Sequence, residues 1–145
     1  MKLRIFKQNN ELCSGLVEWD AVDIRYMGKG IEVKSAAYIQ NWKQKTPSVI
    51  RFDISKKKSW VAETNTFINE SLRNSDCFVF CLYTEKDKEK ADILNTGKWE
   101  FYVVPTAVIN KEFAEQKSVG LVKIQELCTL VLYDSLKSRI DKAMY

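Results

Sequence analysis

The chain has 145 residues, 46% of them hydrophobic and 29% charged, with only five glycines and two prolines. That length suffices for one domain with a real core, and the composition argues against disorder and against a loop-rich scaffold. The formal net charge is +4 and histidine is absent, which excludes Ser-His-Asp and Cys-His catalysis within this chain and leaves carboxylates, Lys, Tyr or a metal ion for hydrolytic chemistry.

The mild basicity is compatible with a phosphate-backbone partner but does not require one. No stretch reaches the apolar length of a membrane span, and the opening MKLRIFKQNN has neither an apolar core nor a cleavage pattern. No membrane partner and no signal peptide are therefore expected, and a cytoplasmic location is the default. Cys13, Cys77, Cys81 and Cys128 form no CxxC pair. Without histidine beside them, they read as buried free thiols rather than a zinc site.

In chain order, Leu16 to Tyr26 is rich in strand-favouring Val, Trp, Ile and Tyr. Met27-Gly28-Lys29-Gly30 is a turn signal, and the segment from Ile31 onward alternates apolar and polar residues, together a hairpin signature. Ser48 to Ile54 reads as a third strand. Lys56 to Ser71 is ambiguous between a short helix and a loop. Cys77 to Thr84 is a buried strand by its continuous apolar run. Glu85 to Lys98 is a solvated loop, and Trp99 to Pro105 another buried strand. Thr106 is placed to cap a short helix at 107–110. From Ile124 to Met144, apolar residues recur at helical spacing: Ile124, Leu127, Cys128, Val131, Leu132, Leu136 and Ile140. Hairpins first and helices late predict an α/β or α+β fold with a central mixed β-sheet flanked by helices.

The hairpin carries the chemistry. If Tyr26 and Ile31 flank the turn, Asp23 lies opposite Lys34 and Arg25 opposite Glu32. Alternation then puts Asp23, Glu32 and Lys34 on one face, with Ile31 and Val33 turned into a core. Two carboxylates hold hard divalent cations through oxygen. The metal acidifies a bound water, and a nearby ammonium orients it or stabilises developing charge. The main-chain carbonyl of Val33 is a further candidate metal ligand. The triplet alone is weak: chance gives roughly two acid-x-Lys triplets in such a chain, and there are two, Glu32-Val33-Lys34 and Glu115-Gln116-Lys117. Only the first lies in an apolar strand with an upstream acid. The competing interpretation is a set of cross-strand ion pairs on a solvated sheet face.

The run VEWDAVDIRYMGKGIEVKSAAYIQNW resembles uncharacterised members of the PD-(D/E)xK, or restriction-endonuclease-like, superfamily. SDCFVFCLY and WEFYVVPTAVIN resemble the core strand and strand-to-helix segments of the same proteins. The resemblance covers roughly Val17 to Asn110. It implies a single nuclease-like domain over residues 1–145, with a restriction-endonuclease-like mixed sheet flanked by helices. It also implies a metal-dependent nuclease acting on phosphodiester bonds in DNA, with Mg²⁺ or Mn²⁺ as cofactor. Asp23, Glu32 and Lys34 match the D…ExK positions, and Gln40 the polar residue that often follows the Lys. Asp20 is a rival for the upstream acid, since one bulge would reverse its face. The superfamily core usually begins with a helix bearing a further acid. MKLRIFKQNNELCS is a poor helix, so the chain is expected to be a truncated or minimal form, with Glu11 or Glu18 as substitutes for that acid. The alternative function is a non-catalytic nucleic-acid-binding or assembly module that kept the nuclease fold.

Lys43, Lys45, Arg51 and Lys56 to Lys58 form a basic stretch around Trp42 and Trp60. The lysines suit either a phosphate track or a solvated rim, and the two tryptophans are expected in the core. The C-terminal apolar stripe is expected to pack on the core. It could instead bury against a second copy, which leaves a homodimer open.

Overall fold

The computed structural model describes residues 13–14, 22–61 and 66–145. The central sheet has the strand order β1-β2-β3-β7-β8, with β1 at Cys13–Ser14, β2 at Ile24–Tyr26, β3 at Lys29–Ala37, β7 at Cys77–Tyr83 and β8 at Trp99–Pro105. β3 and β7 run parallel, and every other neighbouring pair is antiparallel. Two small sheets flank it: β4 (Arg51–Asp53) with β9 (Ser118–Gly120), and β5 (Lys57–Val61) with β6 (Thr66–Leu72). Three helices follow late in the chain, α1 at Thr106–Phe113, α2 at Leu121–Leu127 and α3 at Tyr133–Met144. The fold class is mixed α/β, as the order of patterns predicts. Among the described residues no helix is long and apolar enough to cross a membrane.

The sheet is buried on both faces, which is why its central strands read as continuous apolar runs. All seven residues of β7 are buried. Cys77, Val79, Cys81 and Tyr83 point into one core with Ile31, Val33, Phe101 and Val103, covered by Leu136 and Ile140 of α3. Phe78, Phe80 and Leu82 point into a second core with Phe52, Val119, Ile109, Phe113 and Ile124, contributed by β4, β9, α1 and α2. Cys77 and Cys81 thus lie on one face as free thiols.

The first hairpin is tighter than expected. Tyr26 pairs with Lys29, and only Met27 and Gly28 form the turn. Both have positive φ, 48° and 80°, the combination of a two-residue turn whose twist matches its strands. Gly30 belongs to β3, where a Cβ would stand 2.8 Å from Val22 Cγ1. It is small because the chain packs there, not because it turns. The pairing is therefore slipped by two residues from the expected register: Ile31 faces Ile24 rather than Tyr26. A two-residue slip leaves every side chain on its face.

Other expectations need correction. The ambiguous segment at 56–71 is largely the β5–β6 hairpin. Thr106 begins α1 without a capping side-chain bond, and its hydroxyl instead pairs with Ser75 Oγ at 3.0 Å. The C-terminal stripe is two helices rather than one. Between them Val131 bridges Phe101 of β8, so one apolar spacing serves both helical and extended chain. Its buried members cover the chain's own sheet, as the core-packing expectation holds. Trp42, expected in the core, is 60% exposed.

Candidate active site

Strand alternation on β3 sends Ile31 and Val33 into the first core and Glu32 and Lys34 to the opposite face, toward the second core. That face is not solvated at this point. Glu32 is 7% exposed. The Lys34 side chain is 14% exposed, and its Nζ lies 2.8 Å from Glu32 Oε1. A buried ion pair gives up hydration that its mutual attraction seldom regains in full. These two charges occupy positions where apolar residues would extend the core.

Asp23 joins them from the start of the hairpin. Val33 N–H donates to Asp23 Oδ2 at 2.9 Å, so the carboxylate takes over beyond the last pair of the β2–β3 ladder. Continued one pair further, the register sets Asp23 level with Glu32. In an extended strand the N–H and C=O of one residue point to the same edge. The Val33 carbonyl therefore faces the edge that Asp23 caps.

Three further side chains contribute: Lys57, expected only as part of a basic stretch, and Asp53 and Arg73, which no sequence pattern marks. Lys57, the first residue of β5, donates to Glu32 Oε1 at 3.2 Å with its side chain 56% exposed. Partial burial alone would favour its neutral amine, but Glu32 and then Asp23 outweigh this and hold its pKa above the ordinary lysine value. Asp53, at the end of β4, is held below the ordinary carboxylate range. The Ser55 hydroxyl contributes most, against the opposing effect of burial, and the Ser55 N–H, Lys34 and Lys57 add to it. Arg73 fastens the surround: Nε donates to Ile54 O at 2.6 Å, Nη1 to Asn110 Oδ1 at 2.9 Å and Nη2 to Gln116 O at 2.9 Å. Glu32, Lys34, Lys57 and Arg73 line a narrow cleft with Ser55, Leu72 and Phe78. Its free volume of about 10 Å³ has room for roughly one water.

Of the expected site residues, the structure brings together Asp23, Glu32, Lys34 and the Val33 backbone. Gln40 is not among them. It lies beyond the end of β3, where its Nε2 donates to Ala37 O and Ser48 Oγ, and its N–H donates to Gln44 Oε1. It stabilises the loop after β3. Asp20, Glu18 and Glu11 lie outside the described residues, as do the side chain of Trp60 and the segment expected to lack a leading helix.

Among the described residues no three Asp, Glu, Cys or His side chains converge as a metal cage. Magnesium does not need one. It binds through one or two carboxylates, keeps several waters and takes phosphate oxygens from substrate. Asp23, Glu32 and the Val33 carbonyl would offer such a cation oxygen ligands. Comparison with known protein families, with curated proteins and with solved structures finds no match to this chain.

Proposed function

We propose that the chain is a metal-dependent nuclease that hydrolyses phosphodiester bonds in DNA, and that its mixed sheet is of the restriction-endonuclease-like type. The observation that carries this is the Glu32–Lys34 pair, 2.8 Å apart and nearly excluded from solvent. A merely solvated rim of ion pairs would not sit over a hydrophobic core, and a structural role there is better served by apolar residues. Asp23 beside the Val33 backbone supplies the upstream acid of the same motif.

In this reading Asp23, Glu32 and the Val33 carbonyl hold Mg²⁺ or Mn²⁺, which when bound supplies an acidified water and neutralises charge on the phosphate. Glu32 fixes the Lys34 ammonium, so Lys34 stays at the reacting phosphate without reorganising. Hydrolysis adds the water oxygen to phosphorus, breaks a phosphorus–oxygen bond of the backbone and leaves a proton on the departing sugar oxygen.

The test is nicking of supercoiled plasmid with Mg²⁺ or Mn²⁺ by the wild type, Lys34→Ala and Glu32→Gln, each checked by circular dichroism for folding. The expected loss in either variant is roughly a hundredfold or more. Equal cutting by all three identifies a contaminant and ends the enzyme reading.

One observation favours a second reading, a non-catalytic nucleic-acid-binding module. Both Lys34 and Lys57 already bond Glu32. DNA binding by all three proteins with metal-dependent cutting by none would select it.

A further inference from the structure

Glu32 Oε1 accepts from two ammonium groups, Lys34 at 2.8 Å and Lys57 at 3.2 Å. The two differ in how they are held. Lys34 stands two residues along the same strand and is mostly buried. Lys57 arrives from the separate β5–β6 hairpin, with over half its side chain in solvent. Two like charges on one oxygen repel each other, and the one on the exposed, flexible stem is the one that can leave. Lys57 therefore lies against the Glu32 carboxylate, the position an oxygen-seeking divalent ion would take.

We infer that Lys57 is an internal counter-ion that competes with the divalent cation for Glu32 and, once displaced, turns to the incoming phosphate. This deepens the nuclease reading and rests on its metal site. Metal binding to the free protein is then weakened by Lys57. A backbone phosphate gives the displaced ammonium a new partner, so phosphate and metal each tighten the other's binding. The single-point charge on a long stem suits lysine to this exchange better than the rigid fork of arginine. The consequence is a site that takes up metal most readily in the presence of substrate.

The test measures Mn²⁺ binding by calorimetry at low salt for wild type, Lys57→Ala and Lys142→Ala, an exposed lysine in the last turn of α3, with and without a short DNA oligonucleotide. Truncating a mostly exposed side chain leaves the backbone pairing of β5 with β6 in place, and matching circular dichroism spectra verify it. An exposed ion pair of this kind implies that Lys57→Ala tightens Mn²⁺ binding about threefold or more. Lys142→Ala should match wild type. The oligonucleotide should tighten Mn²⁺ binding in wild type and do so much less in Lys57→Ala. Wild-type binding with equal or weaker affinity in Lys57→Ala overturns the counter-ion role while leaving the metal site standing. No Mn²⁺ binding by any of the three, with or without DNA, overturns the metal site and this role with it.

Discussion

Replacing Arg73 by Met removes a guanidinium of similar length from a nearly buried position and leaves three acceptors behind. The Ile54 carbonyl loses its partner in a buried setting, while Asn110 Oδ1 and the Gln116 carbonyl are partly open to water. A hydrogen bond to a charged group contributes about 1.5–3 kcal/mol when its partner is stranded, and nearer 1 kcal/mol where water substitutes. One loss of the first kind and two of the second give about 4 kcal/mol. At roughly 4 °C per kcal/mol for a chain of this size, the melting temperature falls by about 16 °C. Arg73→Lys, whose compact ammonium cannot span three divergent acceptors, should lose about half as much. The assay is urea unfolding followed by tryptophan fluorescence, with an unchanged slope confirming that stability alone has moved. A loss below about 1 kcal/mol in Arg73→Met would show that water or neighbours already satisfy those acceptors, and the clasp assigned to Arg73 would be wrong.

Met27→Asn places a residue suited to positive φ in the first hairpin turn and should raise stability by about 0.5–1 kcal/mol, read as an increased urea midpoint. Gly30→Ala drives a methyl against Val22 and should cost about 1–3 kcal/mol, with much of the loss recovered in the Val22→Ala double variant. Burial pushes the Cys77 thiol up to about 12, with Asp76 adding to it. Iodoacetamide at pH 8 should therefore leave Cys77 unmodified in the native protein by peptide mapping, and label it on unfolding. The Ser55 hydroxyl holds Asp53 below the ordinary carboxylate range in the folded protein. Asp53 therefore stabilises the fold above its unfolded pKa, and that contribution is lost as pH falls through the folded value. Ser55→Ala should raise the Asp53 pKa toward the ordinary carboxylate value, measured by carbon-detected NMR, and move the onset of acid unfolding to higher pH.

Much of the fold is legible where burial is two-sided. CFVFCLY and WEFYVVP read as strands because short, nearly unbroken apolar runs rich in aromatic and β-branched residues suit a sheet buried on both faces. The site hairpin is legible in its faces but not in its register. MGKG contains two glycines, and sequence alone does not say that Gly28 turns while Gly30 yields room to Val22. The contact of Lys57 with Glu32 is illegible for a different reason. β5 carries a register shift between Lys58 and Trp60, so the period-two alternation that marks a strand is interrupted within its five residues. Its partner Glu32 is 25 positions away, and no local pattern links them. Gln40 shows the reverse failure: a plausible spacing after Lys34 leads past the strand end into a loop whose own hydrogen bonds claim the side chain.

Because β7 contributes alternate residues to both cores, neither face of the sheet can open while the other stays closed. Its amides should exchange with solvent only when the whole molecule unfolds, whereas the peripheral β5–β6 hairpin is free to open at lower energy. A cavity cut under α3, on the far side from Glu32 and Lys34, would therefore loosen the platform beneath them. The rigidity of the charged face is set in part by packing it never touches.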